Sequence, residues 1–120
     1  MNIDLNSVEC QEVIDQLYET INTDKAAQRK LVPVYSGVLS YFPDAISKVA
    51  ECSRVGNEQH HPDKPLHWDR SKSGKNLDAL MRHLIDHSKN PIDDDGVLHL
   101  TKVAWRALAA LQKYLEGGEV

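Results

Sequence analysis

Residues 56–74 limit what the rest of this chain can fold into. The stretch holds Pro62 and Pro65, has Gly56 and Gly74 at its two ends, and shows no apolar period. Proline removes a backbone donor and glycine frees the backbone, so neither a regular helix nor a strand is expected across it. A loop of this length inside a small domain is either functional or disordered. Its contents argue for order. Leu66, Trp68 and half of the histidines (His60, His61 and His67) lie within it, whereas disordered segments are poor in aromatic residues. The expectation is an ordered binding loop between the middle helices of the chain.

On both sides of the loop the apolar residues recur at helical spacing. Ser7 to Ile21 reads as an amphipathic helix with Ser7 as N-cap and Cys10, Ile14, Leu17 and Ile21 on one stripe. Glu9, Glu12, Asp15 and Glu19 occupy the other side. Glu9 and Glu12 have the ExxE spacing that all-helical, magnesium-dependent nucleotide pyrophosphatases use to hold metal, but the later chain supplies no matching ExxD pair. A solvated acidic face is the simpler reading. Residues 22–30 are polar and read as a connector. The apolar run 31–42 contains Pro33, which can open a short helix, and Pro43 closes it. A helix over 44–55 is expected to end at Gly56 as a C-cap. After the loop, Lys75 to Ser88 is helical, with Leu77, Leu80, Met81, Leu84 and Ile85 on one stripe and Asp78, Arg82, His83, Asp86 and His87 on the other side. Asn90-Pro91 stops it. A last helix runs from about Gly96 to Leu115, with Val97, Leu100, Ala104, Leu108, Leu111 and Leu115 as its apolar stripe, and Gly117-Gly118 ends it. No strand-length alternation is present. The predicted fold is all-α, four or five helices around one core, as a single domain. Residues 1–30 are expected to form an N-terminal helix and connector, and residues 31–117 a helical core that carries the binding loop.

Composition narrows the function. With a net charge of −4 and pI near 5.8, the chain does not resemble a duplex-DNA binder that neutralises many phosphates. Locally the sign reverses. Arg54, Lys64, Arg70, Lys72 and Lys75 outnumber Glu58, Asp63 and Asp69 over residues 54–75, which suits a small anionic ligand. Cys10 and Cys52 have no CxxC spacing and are expected to be reduced thiols. No signal peptide and no bilayer-length apolar run are evident, so a cytoplasmic protein without a membrane partner is expected.

Three constellations carry chemistry. In the first, Arg70, Ser71, Lys72 and Ser73 offer cations and hydroxyls for phosphate at the entrance to a helix, whose free N–H groups add to them. Trp68 offers a stacking face, and Asn57 or Gln59 could read a base edge. The plainer alternative is solvated cations and a tryptophan that plugs the core. In the second, His83, Asp86 and His87 stand at i, i+3 and i+4 on one helix face, near the Asp93–Asp95 turn and His99. His83, His87, Asp93, Asp95 and His99 could hold a divalent ion such as Mg²⁺ or Mn²⁺, with His83 and Asp86 as candidate catalytic groups. Phosphate contact or a structural bridge are the other readings of these histidines. In the third, His99, Lys102 and Arg106 share one flank of the last helix, with Trp105 pointing away into the core.

Several motifs in a fixed order resemble a phage and prophage family. They are Gly37-Val38-Leu39-Ser40-Tyr41-Phe42-Pro43-Asp44-Ala45, then Gly56-Asn57 with His60 and Pro62, and Pro65-Leu66-His67-Trp68 with Arg70 and Lys72-Ser73. Arg82-His83-Leu84, Asp95-Gly96 with His99, and Ala104-Trp105-Arg106-Ala107-Leu108-Ala109 follow. The chain is similar over residues 31–115 to the dATP/dGTP diphosphohydrolase, N-terminal domain family. The resemblance implies a helical protein of purine deoxynucleotide metabolism. In longer relatives a pyrophosphatase-type domain follows, and the chain reaches Val120 without one, so binding is a firmer expectation than catalysis. The nucleotide-binding set is then Asn57, His60, His67, Trp68, Arg70, Ser71, Lys72, Ser73, His83, His99 and Arg106. Metal-assisted diphosphohydrolysis, non-catalytic sequestration of a nucleotide immune signal, and a homo-oligomeric interaction module are the functions this leaves open.

Overall fold

The computed structural model of the chain describes residues 8–118. Among these residues it is all-α, with no strand beyond a single bridge between Ile92 and Leu98. The chain divides into two compact units, Met1–Phe42 and Pro43–Val120.

In the first unit, α1 spans Val8–Thr23 and α2 spans Lys25–Lys30. The Ser7 cap expected for α1 lies outside the described residues. Residues 22–30 are not the plain connector their polarity suggests. The Asp24 carboxylate accepts from the Ala27 N–H at 2.9 Å and so starts α2, because an Asp at the N-cap satisfies a donor that the helix itself cannot. The apolar run becomes a single wide turn over Tyr35–Leu39, in which the Ser40 N–H reaches the Tyr35 carbonyl at 2.8 Å. The ring of Pro33 lies 3.3 Å from where a Cβ on Gly37 would stand, so that close approach favours glycine.

In the second unit, α3 spans Pro43–His60, α4 spans Asn76–Lys89 and α5 spans His99–Leu115, with a single 3₁₀ turn at Arg70–Lys72. Pro43 takes the first helical position, where its missing N–H has no bond to lose. Gly56 does not cap α3. The helix runs through it to His60, and the irregular segment is correspondingly shorter. An interior glycine costs about 1 kcal/mol relative to alanine, and two local interactions favour continuing. Arg54 donates to both oxygens of Glu58 one turn on, at 3.0 and 2.9 Å, and the His61 N–H still bonds the Asn57 carbonyl at 2.7 Å. Pro62 then stops the helix. The last helix begins later than Gly96. The Asp93 N–H bonds the Val97 carbonyl and the Gly96 N–H bonds the Asp93 carbonyl, both at 2.9 Å, which closes a tight turn before α5. Gly96 stands at φ +81°, a left-handed conformation that costs an L-residue more than glycine.

α4 and α5 pack as a hairpin, and α3 lies against α5. The contact is built from small and polar side chains. Ala79, Ala109 and Ala110 are buried, together with Ser73, Asn76, His99 and Thr101. Most of the two apolar stripes stay outside this contact, while Leu80, Val97 and Ala104 are half-buried. Leu77, Met81, Leu84 and Ile85 on α4 are 43–54% exposed, and Leu100, Leu108, Leu111 and Leu115 on α5 are 48–71% exposed. The physical reason is that Asn76, Ala79 and His83 on α4, and Arg106, Ala109 and Ala110 on α5, occupy the helix faces turned away from the leucines. The hairpin closes through alanine contacts and side-chain hydrogen bonds, which turns the two leucine stripes outward.

Candidate functional site

The second unit encloses a cavity of about 400 Å³ between α3, the 61–69 segment and α5, with His83 of α4 at one end. That volume falls within the range of roughly 300–1,000 Å³ typical of small-ligand pockets. From α3, Cys52, Ser53, Gly56, Asn57, Gln59 and His60 face it. They recur at three- and four-residue intervals, which puts them on one side of a helix. The loop contributes His61, Leu66, His67, Trp68, Asp69, Lys72 and Ser73. Lys102, Trp105 and Arg106 come from α5, and Asp95 and Val97 from the turn before it.

Two indoles form the apolar wall. Trp105 does not turn away into a core. It stands edge-on to Trp68, with ring centroids 6.0 Å apart at 83°, and its Nε1 donates to the Ser53 hydroxyl at 2.8 Å. The Trp68 Nε1 is buried and has no hydrogen-bond partner, and neither does the buried Asn57 Oδ1. Both residues line the cavity. An orphaned buried donor and acceptor each cost about 1–3 kcal/mol unless something pairs with them. The Asn57 amide nitrogen is already used, donating to the Lys64 carbonyl at 3.1 Å.

Arg70 is engaged elsewhere. Its guanidinium lies 4.1 Å from the centroid of the Trp68 ring and pairs with Glu116, at 2.5 and 2.9 Å to the two carboxylate oxygens. Neither Arg70 nor Ser71 belongs to the cavity wall. The Ser71 hydroxyl and N–H are both given to Asp69, at 2.5 and 3.1 Å, and His61 Nε2 pairs with the other Asp69 oxygen at 3.0 Å. The Ser71 hydroxyl bond, followed by the His61 contact, holds the Asp69 carboxyl at about 2. Ser73 is buried, and its hydroxyl donates to Asn76 Oδ1 at 2.8 Å. The same oxygen accepts from Arg106 at 3.0 Å, and the Asn76 amide returns a bond to the Ser73 carbonyl at 2.9 Å. Lys113, which sequence reasoning passed over, ties the loop down by donating to the Arg70 and Ser73 carbonyls at 3.2 and 2.5 Å. The phosphate-loop constellation is thus split. Lys72 and Ser73 reach the cavity, while Arg70 and Ser71 brace Trp68 and Asp69.

The polar end of the cavity gathers charge of both signs. Lys102 Nζ bridges Asp93 and Asp95 at 2.5 and 2.7 Å. Burial opposes the charge of Lys102, yet the two carboxylates outweigh it and raise its pKa. Burial likewise works to raise the Asp95 carboxyl, but bonds from Lys102, the Val97 N–H and Gln59 hold it at about 2. His83 and His99 face one another, Nδ1 to Nδ1, at 3.0 Å; His83 lines the cavity, whereas His99, almost fully buried, and Asp93 stand behind its wall. Burial first, and the Lys102 charge second, lower the pKa of His83 and favour its neutral ring. Burial lowers that of Arg106 and raises that of the Cys52 thiol. A raised thiol is a poor nucleophile, so Cys52 serves as wall.

Of the expected metal set, His83, Asp93 and His99 come together, their nearest ligand atoms all within 4.8 Å of one another. Two imidazole nitrogens 3.0 Å apart match the span of adjacent ligands on an ion with bonds of about 2.0–2.1 Å. Asp93 is also claimed by Lys102, and its Oδ2 lies 3.9 Å from His99 Nδ1. Asp95 lines the cavity, bound to Lys102, and is not part of this cluster. Asp86 is exposed on α4, and His87 is half-buried with an unpartnered Nδ1, outside the cluster. His60 and His67 are exposed at the rim, and His67 packs on His61 at 4.9 Å between centroids.

Sequence reasoning missed Ser53, Lys113 and the inward position of Trp105. Ser53 carried a legible signal, the polar stripe that continues helical spacing through Gly56 to Asn57 and Gln59. Trp105 carried none, since a tryptophan on a helix looks the same whether it walls a core or a cavity.

No curated protein and no solved structure matches the chain. A family model does, that of the dATP/dGTP diphosphohydrolase, N-terminal, over residues 21–120. With all but the first 20 of its residues inside that match, and with the Trp68 loop, the His83 helix and the Asp95–Arg106 segment within it, the chain belongs to the dATP/dGTP diphosphohydrolase N-terminal domain family.

Proposed function

We propose that the second unit binds a purine deoxynucleotide, with the base against the Trp68–Trp105 pair and the phosphates toward Lys72, Arg106 and the His83–His99 end. The observation that carries this reading is the pair of orphaned atoms, Trp68 Nε1 and Asn57 Oδ1, at one aromatic-walled cavity. A purine edge offers both an acceptor and donors, the two kinds of partner that these groups lack. Membership of a family named for dATP and dGTP supports the same class of ligand. Arg106 brings a half-buried guanidinium, suited to phosphate because it stays charged and presents several donors at once. Arg70 acts indirectly, by holding the Trp68 ring in place.

Between hydrolysis and sequestration, the carboxylates favour the second. Asp93 and Asp95 are both bound to Lys102, so neither is a free base for activating water. Diphosphohydrolysis would require a divalent ion at His83, Asp93 and His99, with Lys102 released toward the phosphates. Incubation with dATP, dGTP and a cyclic dinucleotide, with and without Mg²⁺ or Mn²⁺, separates the two. Ligand recovered intact from a tight complex is the expected result. Metal-dependent release of pyrophosphate would assign hydrolysis instead, and the absence of any thermal shift with all three nucleotides would remove the binding reading.

A further inference from the structure

We propose that the outward faces of α4 and α5 form the seam of a homodimer, in which the hairpins of two copies close a four-helix bundle about a two-fold axis. On α4, Leu77, Met81 and Leu84 follow an i, i+4, i+7 interval, and on α5 Leu108, Leu111 and Leu115 follow i, i+3, i+7. Those intervals are the ones by which helices mesh in bundles and coiled coils. Both stripes lie on the same side of the hairpin, away from the buried alanines, and neither contains a charged residue.

The area decides between scattered surface leucines and an interface. From their fractional exposures, the stripe side chains leave roughly 800 Å² of apolar surface open, more than the roughly 300–600 Å² of the largest patch on a typical monomer. It also equals the roughly 800 Å² that each partner contributes to a standard-size interface. A second copy is the occupant that this surface fits. An uncharged face gives a partner of opposite charge nothing to grip, whereas two identical apolar stripes are self-complementary under a two-fold rotation. The seam leaves the cavity open, because Lys102 and Arg106, which line it, project from the side of α5 opposite Leu100, Leu111 and Leu115. Dimerisation and nucleotide binding are therefore separable, and each stands without the other.

Two measurements on the intact chain test the seam. Sedimentation across a wide concentration range is expected to show twice the chain mass, dissociating on dilution. Mild peroxide oxidation of Met81, which is 53% exposed in the single chain, is expected to slow at least tenfold in the dimer and to recover as the dimer dissociates. Leu84→Glu combined with Leu111→Glu is expected to give a monomer that keeps its helical circular dichroism and its nucleotide affinity. A wild-type monomer at every concentration overturns the proposal. So does a dimer in which Met81 oxidises as fast as in the monomer, since that interface would lie elsewhere, with or without a folded variant.

Discussion

Trp68 and Trp105 meet edge to face with centroids 6.0 Å apart, yet only one of their N–H groups is used. Trp105 gives its proton to Ser53 at 2.8 Å, while that of Trp68 is buried without an acceptor. The two rings thus share a wall and differ in what they have left to offer. Phenylalanine at either position keeps most of the ring and deletes the N–H, so the pair of substitutions separates a ligand contact from a structural one. Trp68→Phe is expected to weaken purine nucleotide binding about 3–10-fold, the worth of one hydrogen bond, with little change in stability. Trp105→Phe is expected to lower stability by about 1 kcal/mol and to affect affinity less. Calorimetric titration and urea denaturation of the two variants check this, and equal affinities would show that the Trp68 N–H meets no ligand.

Asn76 is fully buried and makes three hydrogen bonds, accepting from Ser73 and Arg106 and donating to the Ser73 carbonyl. Asn76→Leu would leave the Ser73 hydroxyl and an Arg106 N–H without their acceptor, with the Ser73 carbonyl held by Lys113 alone, and would press a larger apolar group against Arg106. The expected cost is about 3 kcal/mol, because each orphaned buried polar group carries its own desolvation penalty. Urea denaturation measures it. A loss below about 1 kcal/mol would mean that water replaces the amide and that the network does not fix the loop.

Asp69 sets an acid limit on the loop. Its carboxyl titrates at about 2 in the folded chain, against about 3.9 in an unfolded one. For a carboxylate depressed by folding, the stabilisation is complete above the unfolded value and disappears as pH falls through the folded one. The contribution of Asp69 is therefore full above about pH 4 and is lost toward pH 2. Asp69→Asn should lower the melting temperature at pH 6 and converge with the wild type near pH 2. Parallel curves across that window would show that the Ser71 and His61 bonds do not favour the ionised form.

The sequence by itself determined the all-α class, the helices on either side of the loop and the family, because helical periodicity, proline stops and ordered motifs are local properties that need no knowledge of packing. It also singled out Asn57, Trp68, Lys72, His83 and Arg106, each of which lines the cavity. Only the tertiary structure decided that Arg70 is occupied by Glu116, 46 residues later, and Asp93 and Asp95 by Lys102. Which charge meets which depends on where the helices cross, and spacing along the chain does not encode that. Nor does periodicity say which stripe of a helix faces inward. α4 and α5 each carry a leucine stripe and a stripe of small and polar residues, and the fold buries the second, where Ser73, Asn76 and Arg106 satisfy one another and the alanines let the helices approach.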